Sequence, residues 1–213
     1  PTTYARSLRH SPVFERLTLS NEDKQRGRIY SDQKQRDDLL DNTASLEDFY
    51  WSLDMKLDVF LATNDDVARV AQLTQKTNQF NLTTRRYSES EIDELINNPS
   101  FEVFVARVAD RFGDNGIISV VIVETIKTTA RLDTFLMSCR VIGKTVETGI
   151  LSIVADRLES KGAKILIGQF IASGKNFPAK EFFADHGFKK NKNLDWSIKL
   201  PSAFLNVPEW FKI

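Results

Sequence analysis

The chain has 213 residues, of which 41% are hydrophobic and 27% are charged, a composition ordinary for a soluble globular protein. Its length predicts one full domain with a small flanking piece. Lys and Arg together number 29, as do Asp and Glu, so no summed charge favours nucleic acid or an anionic membrane as a partner.

The number of cysteines and the length of the apolar runs indicate in which cellular compartment the protein resides. The single cysteine, Cys139, cannot form an internal disulfide, which favours a reducing cytoplasm. The longest apolar run, 117–123, is too short to cross a bilayer and indicates a buried strand. No signal-peptide pattern opens the chain and neither methionine is at position 1, so we expect a fragment or a processed product.

The first 42 residues differ in texture from the rest. They are highly charged, and the run 22–41 contains no proline and one glycine. This pattern predicts a solvated helix that follows a short packed segment at 4–8. We therefore divide the chain into a helical connector, 1–42, and a domain, 43–213.

The segment 43–99 predicts a strand and two helices. Apolar residues alternate over 56–61, which is typical of a strand. Asn64 and Asp65 are good N-caps for a helix that follows, and Ser88 with Glu91 forms a capping box for a second helix over 88–96.

The remaining chain predicts the bulk of a sheet. Strands at 101–109, 116–125 and 132–139 are joined by short polar connections, which favours an antiparallel meander. A helix from about residue 144, a strand over 164–171, a short helix after Pro178 and a strand over 196–200 follow. The expected fold is α+β, with a mixed, mostly antiparallel sheet flanked by helices and preceded by the charged helical connector.

The segment 138–145 passes from a strand through a glycine turn into a helix. Free backbone N–H groups and the helix dipole at such a junction form a cradle for phosphate, and Arg140 and Lys144 add positive charge. On its own this pattern is equally typical of an ordinary strand-to-helix turn.

A second motif follows this junction, and together they resemble the GNAT acyltransferase family. The matching residues are Arg140, Gly143, Asn176, Ala179, Phe182, Gly187 and Phe188. The resemblance implies that a phosphate of coenzyme A or of carrier-bound phosphopantetheine binds Arg140, Val141, Gly143, Lys144 and Thr145. It also implies that Asn176 borders the pantetheine arm, which enters where strands 132–139 and 164–171 splay apart.

Two residues depart from the GNAT pattern. Thr145 stands where the phosphate loop usually has Gly or Ala. Phe183 stands where many members carry a tyrosine that protonates the leaving thiolate, and phenylalanine has no proton to donate.

Nearly the whole chain also resembles FkbH-like proteins, through the runs 72–88, 110–116 and 138–141. The resemblance implies an N-terminal HAD-type phosphatase-like domain joined to this GNAT-like domain. Type members load a glyceryl unit from 1,3-bisphosphoglycerate onto an acyl carrier protein. Residues 1–30 resemble the tail of the HAD half. Its D-x-D-x-T motif is absent from this sequence, so phosphate removal is not assigned to this chain.

The polar run 75–86 is too dense in polar side chains to be buried without partners. We expect its members Asn78, Asn81, Thr84 and Arg85 to bind a hydroxylated acyl group. The alternative is a helix end and a solvated loop held by local side-chain bonds.

Cys139 is the candidate nucleophile, because the predicted helix N-terminus and Arg140 beside it favour a thiolate. The alternative is a buried cysteine that only packs. Neither His10 nor His186 is well placed to activate it. Asp114 and Asn115 are expected to orient a base or acyl hydroxyls, unless they only form the turn.

The sequence thus predicts an acyltransferase domain that moves a small hydroxyacyl group onto a carrier-protein phosphopantetheine thiol. Alternatives are a coenzyme A-dependent N- or O-acyltransferase and a silent domain that docks the carrier. The expected partners are an acyl carrier protein, an upstream HAD-like domain and a small acyl donor, and no metal is expected.

Overall fold

The computed structural model describes residues 21–191 and 195–213, so the predicted packed segment at 4–8 and His10 lie outside the described residues. The helices are α1 (Asn21–Asp41), α2 (Leu46–Leu53), α3 (Val67–Lys76), α4 (Glu89–Asn97), α5 (Val146–Ser160) and α6 (Phe182–Asp185). The strands are β1 (Met55–Leu61), β2 (Phe80–Asn81), β3 (Phe101–Asp110), β4 (Gly113–Ile126), β5 (Thr129–Met137), β6 (Ile165–Gly168), β7 (Lys189–Lys190), β8 (Trp196–Lys199) and β9 (Phe211–Lys212). Short 3-10 turns occupy Asn64–Asp66, Cys139–Val141 and Phe177–Ala179.

Within this described part, the strands form one sheet in the order β7-β8-β6-β5-β4-β3-β1-β9, and β2 pairs with β5 beside this path. The pairs β5–β6 and β1–β9 are parallel, and the others are antiparallel. The predicted α+β fold with a mixed, mostly antiparallel sheet is therefore confirmed.

Alternation along the central strands gives the sheet two apolar faces. In β3, Val103 and Val105 pack on the face that α3 and α4 cover, whereas Phe104, Ala106 and Val108 pack on the opposite face. That opposite face carries the larger core and is covered by α2, α5 and α6. Both faces of the sheet are therefore buried against helices, which gives three layers in the order helix, sheet, helix.

Serine side chains cap the N-termini of two helices, α2 and α4. Ser88 caps α4 in a reciprocal box with Glu91. Ser45 caps α2, a helix that was not predicted from the sequence. These caps satisfy backbone N–H groups that have no partner within their helices.

The predicted strand at 164–171 is much shorter in the structure. Only Ile165–Gly168 pairs in the sheet. The apolar residues Phe170 and Ile171 lie beyond the paired part of this strand, because at Leu136 and Met137 β5 pairs with a different strand. This partner is β2, which lies in the polar run 75–86, for which the sequence predicted no strand.

The connector helix α1 is not simply solvated, which corrects the sequence-based expectation. Lys34, Gln35 and Asp37 are exposed, but Arg36 is only 2% exposed. Its guanidinium donates to both carboxylate oxygens of Asp110, from Nε at 2.6 Å and from Nη2 at 2.8 Å. This pair ties α1 to the end of β3. In the described part of the chain, no helix is long and apolar enough to span a membrane.

Removing the Arg36 guanidinium leaves the buried Asp110 carboxylate without its counter-charge. We expect Arg36→Met to lower the free energy of unfolding by about 3–5 kcal/mol, as is usual when one member of a buried ion pair is removed. Denaturant titration measures the change, with the exposed Lys34→Met on the same helix as the control. A loss no larger than that of the control would contradict a buried, energetically important pair.

Candidate functional site

The parallel strands β5 and β6 separate at Leu132. They pair only from Thr129 with Ile165 to Leu132 with Gly168. On the other edge of β5, Leu132 faces Val123 and Thr134 faces Ile122, so Asp133 is an extra residue in a β-bulge. β6 ends at Gly168 while β5 continues to Met137, so the chain after β6 leaves β5 here, although the predicted strand 164–171 does not extend along this divergence. The bulge lies where the divergence begins.

The gap beyond this point is filled by the chain itself. Phe80 pairs with Met137 and Asn81 with Leu136. The Leu82 amide donates to the Phe135 carbonyl at 3.0 Å, and on the other side the Ile171 amide donates to the Leu82 carbonyl at 2.8 Å. We call residues 80–83 the inserted segment. It occupies the place in the sheet where the resemblance to GNAT proteins put a pantetheine arm.

Asn176 holds the inserted segment in place. It is fully buried, and its amide nitrogen donates to the carbonyls of Asn81 at 2.8 Å and of Ile171 at 3.0 Å. Its side-chain oxygen accepts from the Ser173 amide at 2.8 Å. Every polar atom of this side chain is therefore bound to protein, and it presents none to a bordering pantetheine arm.

The predicted substrate-binding residues have different positions. Asn81 is buried, donating to the Thr77 carbonyl and accepting from the Thr84 amide, so it shapes the turn. Asn78 accepts from the Arg86 guanidinium at 2.6 Å. Thr84 has a positive φ of 56° and is half-buried.

Arg85 is the exposed member of that set, and it pairs with Asp133 in the bulge. The Asp133 carboxylate also accepts hydrogen bonds from the hydroxyls of Tyr87 and Thr134. Sequence reasoning missed Asp133 and Tyr87. The available signal was an acidic residue within a predicted core strand, because a carboxylate in such a strand needs partners.

The predicted phosphate loop starts with a 3-10 turn rather than with the helix. Cys139 opens this turn and is exposed, whereas α5 begins only at Val146. The helix N-terminus therefore does not adjoin Cys139, which corrects one reason given for a thiolate. Gly143 and Thr145 have positive φ of 79° and 56°. Among the described residues, the amides of 143–145 donate to no acceptor. Such unpaired amides form an anion nest.

Aromatic residues from two distant elements hold the loop. The Tyr50 hydroxyl donates to the Gly143 carbonyl at 3.0 Å, and the Trp210 indole donates to the Thr145 hydroxyl at 2.9 Å. That hydroxyl donates in turn to the Lys144 carbonyl. The unusual Thr145 is thus explained, because its hydroxyl serves as a tether for Trp210 in a position where Gly or Ala offers none.

Two charged groups of the loop region are buried. The Lys144 ammonium, 6% exposed, has no hydrogen-bond partner in the described part of the chain. Burial and then the neighbouring Arg36 lower its pKa to about 8, against the effect of Asp110. Burial raises the pKa of Glu147, and burial followed by Glu147 raises that of Tyr50. Lys144 therefore does not extend into solvent as a mobile cation.

The other predicted loop and turn residues are also located. Val141 is fully buried in the core, and half-buried Arg140 donates to the Ser138 hydroxyl at 3.2 Å. Asp114 is exposed and accepts from the Gly116 amide, which is a turn-forming bond. Asn115 is buried, and its amide nitrogen has no partner among the residues described.

No base is available to Cys139 from His186. This histidine is buried, and its ring nitrogens bond to the Thr148 hydroxyl at 2.9 Å and the Phe182 carbonyl at 2.6 Å. Burial lowers its pKa. Phe183 is also buried and packs against Phe188 and Trp196, so the absent tyrosine hydroxyl is replaced by core packing.

Comparisons with known proteins address the fold. No protein-family model matches the chain, and no curated protein is similar to it in sequence. Ard1 from Thermoplasma volcanium superposes with a TM-score of 0.54 at 14% identity, over 68% of this chain and 99% of that one. The ribosomal-protein-S18-alanine N-acetyltransferase from Escherichia coli gives 0.52 at 12%, over 69% and 96%. A GNAT-family acetyltransferase from Staphylococcus aureus Mu50 gives 0.52 at 9%, over 68% and 99%. The chain thus has a GNAT-like fold.

Loss of the Asn176 side chain should destabilise the site strongly. Asn176→Ala leaves the buried Asn81 carbonyl without this donor and also removes the part-buried bonds to the Ile171 carbonyl and the Ser173 amide. A buried polar group left without a partner costs about 1–3 kcal/mol. We expect the free energy of unfolding to fall by at least about 2 kcal/mol in denaturant titration. Asn97→Ala, at an exposed helix end, is the control. Equal, small losses in both variants would show that Asn176 does not hold the segment.

Lys144 should make stability depend on pH. Its pKa is lower in the folded chain than in the unfolded one, so between about pH 8 and 10.5 the unfolded chain binds more protons and stability rises with pH. Lys144→Met should remove this rise and stabilise the chain at pH 7 by about 2–3 kcal/mol. The exposed Lys175→Met should do neither. A parallel pH profile for all three proteins would contradict a buried ammonium.

Proposed function

We propose that this chain is an acyltransferase domain that carries a small hydroxyacyl group on Cys139 and passes it to the phosphopantetheine thiol of a carrier protein. The observation that supports this best is the position of an exposed thiol just before a loop whose amides, 143–145, have no acceptor among the described residues. A nucleophile and an anion nest in one loop suit an acyl donor that bears a phosphate.

The proposed reaction has two steps. The Cys139 thiolate attacks the carbonyl carbon of an acyl phosphate, a sulfur–carbon bond forms, and the bond from carbon to the phosphate oxygen breaks with phosphate leaving. The thiolate of the carrier arm then attacks the new thioester, and Cys139 leaves as a thiolate. Each thiol gives its proton to water before it attacks. No cofactor is needed for this balance.

Distances along the chain favour a compact donor. Cys139 and Gly143 are four residues apart, which is at most about 14 Å when extended and less when the chain turns. The 3-10 turn at Cys139–Val141 shortens the span further. A phosphate in the nest and a carbonyl at Cys139 therefore belong to one small molecule. An extended phosphopantetheine arm is too long to place its phosphate at the amides of 143–145 and its thiol at Cys139.

Two residues are proposed to recognise the donor. Arg140 lies between Cys139 and the nest, and we assign it the phosphate charge. Arg85, exposed and paired with Asp133 at the bulge, is proposed for the acyl hydroxyls, because a guanidinium donates to a hydroxyl oxygen and a carboxylate accepts from a hydroxyl group. An acyl carrier protein as acceptor, an upstream HAD-like domain and a cytoplasmic setting belong to the same proposal.

A silent docking domain is the second candidate. Two observations favour it: Phe183 provides no proton donor, and His186 provides no free base. In this alternative, Cys139 is exposed without chemistry and the loop only binds the phosphate of the carrier arm. The covalent state of Cys139 separates the two candidates.

Intact-mass measurement tests the proposed relay. The chain incubated with a small hydroxyacyl phosphate and no carrier should gain the acyl mass as a hydroxylamine-labile thioester. Cys139→Ala should gain none, and Cys139→Ser should retain any oxygen ester, because an ester is the poorer donor. Transfer to the carrier by a Cys139→Ala chain at the unaltered rate would exclude the relay.

Arg140→Ala should weaken the donor interaction. A charge-assisted hydrogen bond contributes about 1.5–3 kcal/mol, so the donor concentration for half-maximal acylation should rise about tenfold or more. The exposed Arg107→Ala on β3 is the matched control and should leave it unchanged. An unchanged value for Arg140→Ala would place the phosphate elsewhere.

A further inference from the structure

We propose that the inserted segment, residues 80–83, is a permanent part of the sheet that excludes a threaded pantetheine arm, so that coenzyme A thioesters are not donors for this domain. This inference deepens the proposed function by limiting its substrates. It rests on the sheet geometry and not on the chemistry of Cys139.

The backbone of β5 has no free edge in the gap. On the side where an arm would pair, the Phe135 carbonyl accepts from the Leu82 amide, and the Asp133 carbonyl accepts from the Thr83 hydroxyl at 2.9 Å. Phe80 pairs opposite Met137. An arm lying against β5 needs these same groups, because pairing along a strand uses its edge N–H and C=O groups. A pantetheine arm and the inserted segment therefore cannot occupy the gap together.

The opposite side of the gap is equally occupied. The Ile171 amide donates to the Leu82 carbonyl at 2.8 Å, and Asn176 bridges the carbonyls of Asn81 and Ile171. The inserted segment is thus hydrogen-bonded to the end of β5 on one side and to the chain that follows β6 on the other. It occupies the position of a strand between them.

Burial shows that the segment is not a loose loop. Phe80, Asn81 and Leu82 are 4%, 0% and 1% exposed. The Phe80 ring packs edge-on against the rings of Phe135 and Phe182, each at 5.5 Å between centroids. Displacing the segment exposes two large apolar side chains and leaves several buried polar groups without partners, both of which oppose opening.

The phosphate nest lies outside the gap. The amides of residues 143–145 belong to the loop after β5, and the inserted segment contacts β5 only as far as Met137. A diphosphate therefore has a place to bind while a pantetheine arm has none. The two parts of a coenzyme A molecule should behave differently towards this chain.

Amide hydrogen exchange of the full chain, carrying Cys139→Ala to remove thiol chemistry, tests the exclusion. We expect slow exchange at the Leu82 and Ile171 amides, unchanged by millimolar acetyl coenzyme A. Any binding of coenzyme A should be matched by 3′-phosphoadenosine 5′-diphosphate, which has all the phosphates of coenzyme A and no arm. No binding of either ligand also agrees with a filled gap.

The exclusion would be overturned if acetyl coenzyme A raised exchange at both amides by about tenfold or more while 3′-phosphoadenosine 5′-diphosphate did not, because that pattern reports displacement of the segment. Coenzyme A binding about tenfold tighter than 3′-phosphoadenosine 5′-diphosphate would also overturn it, since the arm would then contribute affinity. The exchange and binding measurements do not depend on acyl transfer by Cys139. The exclusion of the arm and the proposed relay can therefore be refuted independently of each other.

Discussion

The structure depends on how β5 satisfies its backbone beyond the point where β6 leaves it. Buried carbonyl and amide groups need partners, and a strand at the centre of a sheet has two edges to fill. Here the Asp133 bulge marks the change of partner, and residues 80–83 supply the new one. The arrangement of α3, the following turn and the loop after β6 follows from this insertion, because all three must converge on the gap.

In this GNAT-like fold, the gap between β5 and the chain after β6 is filled by the protein itself. The gap contains the buried side chains of Phe80 and Leu82. The loop at 139–145 keeps an exposed thiol and unpaired amides, held from behind by Tyr50 and Trp210. The chemistry that we propose for the domain is therefore located in the loop and not in the gap. The connector helix is tied to the end of β3 through Arg36 and Asp110.

Sequence patterns predicted the elements that local rules control. Alternation placed β3 and β4, and the Ser88–Glu91 capping box placed α4. They did not predict β2, since a two-residue strand has no periodicity and its existence depends on β5. Nor did they predict the burial of Arg36, because nothing in a charged run indicates which member meets a carboxylate 74 residues away. For Asn176 the motif marked the position, and only the fold shows what its amide binds.

The most direct test of this account is the scalar coupling across the hydrogen bond from the Leu82 amide nitrogen to the Phe135 carbonyl carbon, measured by NMR. We expect a resolved coupling in the free chain that persists in millimolar coenzyme A. We also expect the matching coupling from the Ile171 amide to the Leu82 carbonyl. Loss of both couplings on addition of coenzyme A, with new contacts between β5 and the ligand arm, would contradict this account.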